Sequence, residues 1–313
     1  MAARISRRRL LAAGMAAALP VGMGKTEESA SAAPIRFGFI GVGGRGTYLL
    51  RLIQQIPGVR ITAICDINEA NLNRAIEAVR ETSGEKPAGY AAGPLDYRRL
   101  LAREDVDAVV IATPVPLHAP MAIDAMKAGK HAYSEVTAAT TLEDCWGLVE
   151  TAEQTGRLYM LAENYCYFRP NMMVLNMVEQ GVFGDLTYAE CGYVHDTRDI
   201  KFKADGSLEW RGEMARDMIG HLYPTHPLGP VAKCFKINRG DRFVSCVAMT
   251  SRPEAMAYYA RKRWGADHPA AKIDFKQGDS SVTLITTANG SLINLRYDGC
   301  SARPHPSAAY FAI

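Results

Sequence analysis
The sequence predicts an α/β protein in two parts: a doubly wound parallel sheet in the first half, then an α+β half with an open, mixed and largely antiparallel sheet. Three observations carry this. Strand-like and helix-like segments alternate from Ile35 to Asn164, a glycine-rich string (GVGGRG) separates the first strand from the first helix, and strand-like segments with few intervening helices follow residue 166. The 313 residues are 48% hydrophobic and 22% charged, enough to bury the cores of two domains. That excludes a disordered chain, a disulfide-stapled miniprotein and a collagen-like repeat.

The elements follow in order. IRFGFI (35–40) is a short apolar strand candidate, and TYLLRLIQQI (47–56) repeats its apolar residues at helical spacing through Leu49, Leu52, Ile53 and Ile56. VRITAICD (59–66) is the second strand and EANLNRAIEAVR a charged amphipathic helix. Next come the strand VDAVVIAT (106–113), the helix HAPMAIDAMKAG, the strand HAYSEV (131–136), the helix LEDCWGLVETAEQTG and the strand LYMLAEN (158–164). Strands separated by helices of ten or more residues need crossover connections and so imply a parallel sheet.

Gly41, Gly43 and Gly46 sit between the first strand and its helix, and Asp66 ends the second strand twenty residues after Gly46. In that context the glycines are a dinucleotide-binding fingerprint of the Rossmann type. Gly41 allows the tight turn, Gly43 lets backbone amides approach a pyrophosphate, and Gly46 lets the helix pack on the strand. The helix N-terminus offers aligned N–H groups to the phosphates. Asp66 can accept from ribose hydroxyls and would repel a 2′-phosphate, which favours NAD over NADP. The bland alternative is a glycine-rich turn with a capping aspartate. TPVPLHAP (113–120) lies at the carboxyl end of a strand, where ligands of open α/β sheets bind. His118 there reads equally as a wall of the nicotinamide-ribose site or as an exposed helix start.

The first 32 residues read as an export leader. SRRRLL (Ser6 to Leu11) precedes an apolar stretch broken by Pro20, Gly22 and Gly24, and Ala30-Ser31-Ala32 suits a signal peptidase. The stretch is too short to span a membrane, so no stable insertion is expected. The pattern resembles a twin-arginine signal, which implies a periplasmic or extracellular protein folded before export. The chain's 36 basic and 33 acidic residues give a net charge of +3, but without Arg4, Arg7, Arg8, Arg9, Lys25, Glu27 and Glu28 the two signs balance. A neutral body with no basic face argues against a nucleic-acid partner, and RKRW (261–264) reads as a solvated loop. The seven cysteines form no CxxC, and no zinc-like spacing appears, so no metal site and no disulfide framework are expected.

The second half holds the helix NMMVLNMVEQG and strands at GDLTYAECGYVH (184–195), FVSCVAMT (243–250), SSVTLITTANG (280–290) and SLINLRYDG (291–299). The last two meet at Ala288-Asn289-Gly290, a hairpin signal. The expected organisation is a leader over 1–32, a nucleotide-binding domain over 33–165 and a substrate and oligomerisation domain over 166–313. The chain ends on the apolar run AAYFAI, and the expectation is that the second domain is incomplete there.

GVGGRG, the Glu135-Val136 pair, AENYCY (162–167) and HLYPTHPLGPVAKCFKINRGDR (221–242) together resemble the NAD-dependent glycoside hydrolases of family 109, α-N-acetylgalactosaminidases within the glucose-fructose oxidoreductase, inositol dehydrogenase and rhizopine-catabolism (Gfo/Idh/MocA) superfamily. Dehydrogenases of that superfamily carry Glu-Lys-Pro after the fifth strand. Here the place reads Ser134-Glu135-Val136-Thr137, without the lysine. The resemblance implies a glycosidase that oxidises the sugar transiently at carbon 3, eliminates the aglycone after loss of the carbon-2 proton, adds water and re-reduces, so NAD is not consumed. This departs from the usual pair of flanking carboxylates.

The resemblance also implies that Gly44, Arg45, Asp66, Val115, Leu117, His118, Glu135, Val136 and Asn164 line the cofactor, and that Tyr193, Arg211, Tyr223, Pro224, Thr225 and His226 face a carbohydrate. Tyr223 and His226 lie three apart beside Pro224 and Pro227, a rigid turn or helix start that presents both side chains together. Histidine and tyrosine suit proton transfer to and from hydroxyls, so His226 and Tyr223 are catalytic candidates, against a purely structural histidine. Tyr167 reads either as an acid or base near the nicotinamide or as a core aromatic. Arg211 could grip a substrate oxygen with Trp210 stacked on the sugar, or form a surface ion pair. His221 could share the proton transfer or lie behind it. The family often dimerises through its second sheet, so a homo-oligomer is expected. The alternatives are an NAD-dependent sugar or polyol dehydrogenase, and a non-catalytic nucleotide-binding sensor or inactive truncated chain.

Overall fold
Every strand expected in the first half forms, and all run parallel. The computed structural model describes residues 33–301 and the backbone of 310–312, so the leader expectations for 1–32 lie outside the described residues. β1 (Ile35–Ile40), β2 (Val59–Cys65), β3 (Ala88–Tyr90), β4 (Ala108–Ile111), β5 (His131–Ser134) and β6 (Tyr159–Leu161) form a six-stranded sheet in the order β3-β2-β1-β4-β5-β6. β3 escaped the sequence reading because three residues are too few to show a period.

Five helices cover the sheet: α1 (Gly44–Ile53), α2 (Glu69–Ser83), α3 (Tyr97–Leu101), α4 (His118–Lys127) and α5 (Leu142–Thr155). The Asn68 side chain caps α2 by accepting from the amides of Ala70 and Asn71, and Thr141 caps α5 through the Asp144 amide. Alternate residues of each strand serve opposite cores. Phe39, Ile64 and Val110 pack with Leu50, Leu72 and Val79, while Ile40, Cys65, Val109 and Ile111 pack with Met121, Ala125 and Leu148. Burial on both faces explains why β4 reads as an unbroken apolar run.

The second half contains α6 (Arg169–Glu179), β7 (Tyr188–Val194), α7 (Trp210–Asp217), α8 (Thr225–Cys234), β8 (Phe243–Thr250), α9 (Ala255–Trp264), β9 (Ser280–Thr287), β10 (Leu292–Asp298) and β11 (Tyr310–Ala312). Its sheet has the order β11-β7-β10-β9-β8, with β7 and β10 parallel and the other pairs antiparallel. The expected hairpin joins β9 to β10, with Gly290 at φ +88°. On one face Ile285, Ile293, Leu295, Ala189 and Cys191 pack against Val231, Cys234 and Phe235. On the other, Val247, Met249, Val282 and Leu284 are exposed, and all of β8 is open to solvent. β11 pairs with β7 alone and is the outer strand of the described sheet.

RKRW is not a loop. It ends α9, where three cations favourably oppose the helix carbonyls. All seven cysteines are free thiols. From Ile35 onward the chain is one compact unit.

Candidate functional site
The strand order reverses between β1 and β4, and a cleft of about 1290 Å³ opens above that point. Its walls come from the loops after β1, β2, β4 and β5 and, across from them, from β7 and the N-terminal turns of α7 and α8. Gly41 turns at φ +85°, and α1 starts directly afterwards behind the N-cap Gly43. A Cβ on Gly46 would lie 2.0 Å from the Gly41 carbonyl oxygen, so the glycine is what lets helix and loop touch. At Gly44 nothing lies within 4 Å of a Cβ position, which leaves backbone open to a ligand. Asp66 is nearly buried and accepts from the amides of Val42 (2.7 Å) and Asn68 (2.8 Å), so one carboxylate fixes the phosphate loop and the entry to α2.

Arg45 reaches across the cleft, its Nε donating to Glu135 Oε1 at 2.6 Å, while Glu135 Oε2 accepts from the Val136 amide. Val115 and Leu117 form a short 3₁₀ turn in the wall. His118 is not an exposed helix start. It is 1% exposed, and its two ring nitrogens lie 2.8 Å from the carbonyl oxygens of Thr113 and Thr137, tying the end of β4 to the end of β5. Thr137 continues this tie by donating its hydroxyl to the Leu222 carbonyl.

Facing this side is a cluster of rings. Tyr223 lies 5.4 Å from Tyr193 and 5.8 Å from His226, centroid to centroid, and Tyr193 is 5.5 Å from His226. Arg211 Nε donates to the Tyr223 hydroxyl at 2.7 Å, with its guanidinium 4.0 Å over the Trp210 ring. One face of that indole is therefore taken, leaving only the other for a ligand. The Tyr193 hydroxyl shares a 2.8 Å hydrogen bond with His195 Nδ1. Burial pushes the Tyr193 and Tyr223 phenols up, so both stay protonated as hydroxyls. His226 Nδ1 lies 2.8 Å from Glu163 Oε1, and its ring stacks on Tyr165 at 4.2 Å.

Residues 35–163 match the oxidoreductase family with an NAD-binding Rossmann fold, and residues 167–311 match the glycosyl hydrolase 109 C-terminal domain. The second half of the chain is thus similar to glycosyl hydrolase family 109 and the first half to NAD-binding Rossmann domains. Family 109 protein 1 of Shewanella sp. strain ANA-3 is 44% identical over 272 residues, 87% of this chain and 59% of the relative. An α-N-acetylgalactosaminidase of Shewanella oneidensis matches with the same identity and coverage. The chain thus spans 59% of the length of these relatives. Among solved structures, an NAD-binding oxidoreductase from Klebsiella pneumoniae superposes with a TM-score of 0.68 at 20% identity, covering 90% of this chain and 70% of that one. Myo-inositol 2-dehydrogenase from Lactobacillus plantarum gives 0.63 at 16%, covering 89% and 76%. These likenesses confirm the fold: a Rossmann-type parallel sheet followed by a mixed sheet.

The residues of the cleft fit NAD. The Asn164 Oδ1 atom lies buried in the cleft wall with no partner among the described residues, an acceptor suited to an amide. The open backbone at Gly44 and the carboxylate of Asp66 supply the rest of the cradle. Of the residues expected to face the sugar, Tyr193, Arg211, Tyr223 and His226 line the cleft. Pro224 and Thr225 do not line it. Pro224 caps α8, and the Thr225 hydroxyl is buried without a partner among the described residues. Tyr167 is also outside the cleft, 55% exposed beneath Lys233 Nζ at 4.1 Å. Tyr165, two residues earlier, takes the place in the wall.

His221 lies behind the wall. Its Nε2 is 3.0 Å from the Thr283 hydroxyl, and burial pushes its pKa down to about 4. Glu163 was missed because nothing in a sequence joins it to a histidine 63 residues later. Among the described residues no cluster could hold a metal ion, and no helix is long and apolar enough to cross a membrane.

Proposed function
We propose that the chain is a glycosidase acting on terminal α-N-acetylgalactosaminides or related sugars, with NAD as a resident cofactor that is not consumed. The observation that carries this is the single cleft joining the glycine loop to Tyr193, Arg211, Tyr223 and His226, with Glu135-Val136-Thr137 where dehydrogenases of the superfamily place a lysine. Bound NAD would supply a reversible acceptor for hydride from the sugar. His226 is then placed to take the hydroxyl proton at that carbon. Burial keeps the Tyr223 phenol protonated, and because Arg211 donates to its oxygen the phenol's own O–H is left to offer to a sugar oxygen. That the glycine loop and these side chains line one cleft supports a sugar bound between them.

The test is to incubate the purified protein with an aryl α-N-acetylgalactosaminide and follow aglycone and NADH together. Aglycone without net NADH is expected. NADH in proportion to free sugar oxidised means a dehydrogenase instead, and neither product means a non-catalytic chain.

Export by the twin-arginine route belongs to the same proposal, on the strength of SRRRLL and Ala30-Ser31-Ala32. It is checked by fractionating cells that express the chain with Arg7 and Arg8 intact or replaced by lysine, with cytoplasmic retention of the variant expected. Assembly through the exposed Val247, Met249, Val282 and Leu284 face is the third element, read by light scattering.

A further inference from the structure
We infer that Glu163 is a positioning residue that holds His226 in one tautomer, with its free ring nitrogen presented to the cleft. The inference rests on the role proposed above for His226 but is argued from different atoms. Glu163 follows β6 and caps the 3₁₀ turn Asn164–Tyr167, so it sits at a carboxyl end of the first sheet, while His226 lies in the first turn of α8 in the second half. Glu163 Oε1 takes two donors, the Tyr165 amide at 3.0 Å and His226 Nδ1 at 2.8 Å. The side chain is 9% exposed, and Oε2 is buried without a partner among the described residues. A buried carboxylate held this way is not a surface ion pair.

The surroundings prevent the imidazole from turning over. Its ring is stacked on Tyr165 with centroids 4.2 Å apart and lies 12% exposed. One turn further along α8, a Cβ on Gly229 would meet Glu163 Cγ and Cys166 Sγ, each at 2.9 Å. Only glycine lets the helix come close enough for His226 to reach the carboxylate. An ionised carboxylate only accepts hydrogen bonds, so Nδ1 must carry the proton of the neutral ring. Nε2 then keeps its lone pair, and it is the nitrogen that the cleft-lining imidazole can offer to a hydroxyl. When Nε2 takes a proton, the new cation faces the Glu163 charge. Glu163 does not itself line the cleft and acts through the histidine alone.

The experiment combines turnover with ¹⁵N NMR of histidine-labelled protein, using His226→Asn to assign the His226 resonances. In the wild type, His226 is expected to be protonated at Nδ1 and bare at Nε2. Glu163→Leu should lose this fixed tautomer and lower kcat by about 100-fold or more, with KM within about threefold and bound NAD unchanged. Glu163→Gln, whose amide oxygen still accepts from Nδ1, should recover part of that loss. A wild-type His226 protonated at Nε2 overturns the inference, and so does a Glu163→Leu protein with the same tautomer or with kcat within about threefold of wild type. If the wild type cleaves no glycoside, the functional proposal fails by itself and the NMR result decides the role of Glu163.

Discussion

The two sides of the cleft are built differently. On the nucleotide side the contact surface is mostly backbone: the turn at Gly41, the open amides at Gly43 and Gly44, and the loop pinned by Asp66 through two amide hydrogen bonds. On the proposed sugar side it is all side chains, each held by another side chain: Arg211 on Tyr223 twelve residues on, His226 on Glu163 in the first half, Tyr193 on the nearby His195. A backbone site serves a diphosphate, whose charge is satisfied by N–H groups that any sequence carries. A sugar has to be distinguished by its hydroxyls, which calls for particular donors and acceptors in fixed places. The first side therefore fails as a unit when its backbone is displaced, whereas the second can lose one member and keep its cofactor.

The largest expected effect is therefore on the nucleotide side. Gly46→Ala places a methyl 2.0 Å from the Gly41 carbonyl oxygen, and neither backbone can yield without opening the turn. The purified variant should hold no more than about a tenth of the wild-type NAD and show no turnover, because overpacking against backbone costs more than side-chain movement can relieve. NAD is counted by absorbance after denaturation. Full NAD content would mean that the loop is not the cradle.

On the sugar side, Arg211→Ala should leave NAD content unchanged and lower kcat/KM about 10- to 100-fold. The lost interaction is a charged donor on a buried phenol, about 1.5–3 kcal/mol. A parallel loss of NAD would merge the two sides into one.

The same contrast governs what the sequence made legible. All of the first sheet but β3 was readable because its central strands are buried on both faces and helices with their own period separate the strands, so the order of elements nearly determines the topology. GVGGRG and Asp66 were readable because their partners lie within one βαβ unit. In the second half β7, β9 and β10 were readable from their alternation, but α7 and α9 were not: the short, polar WRGEMARD and the tyrosine- and arginine-rich AMAYYARKRW give only weak amphipathic patterns. The pairing of Glu163 with His226 depends on how α8 docks against the end of β6. That is a tertiary fact marked in the sequence only by Gly229, whose role cannot be seen until Glu163 and Cys166 stand beside it.

A smaller effect tests the layer behind the sugar side. Burial lowers the His221 pKa from 6.5 to about 4, and the neutral ring contacts Thr283. The unfolded chain therefore binds the proton more readily. The contribution of His221 to stability is complete above pH 6.5 and declines as the pH falls from 6.5 to about 4, by up to about 3 kcal/mol. Thermal melts should show a shallower fall in Tm across that window for His221→Gln than for the wild type. Equal slopes would mean that this ring is not desolvated.

The smallest effect is expected at Tyr167, which separates position in the sequence from position in the cleft. It shares the string NYCY with Asn164 and Tyr165, and a sequence reading cannot tell which aromatic turns inward. The 3₁₀ turn decides the matter: three residues per turn put Tyr165 against His226 and leave Tyr167 on the outside, under Lys233. An exposed cation–π contact contributes about 0.5–1 kcal/mol, and phenylalanine keeps the ring that makes it. Tyr167→Phe should thus leave kcat, KM and NAD content within about twofold of wild type. Tyr165→Phe serves as the inward comparison. A loss of more than about tenfold at Tyr167 alone would require the turn to present its other face to the substrate, and with it a different sugar side from the one built on Tyr165, Glu163 and His226.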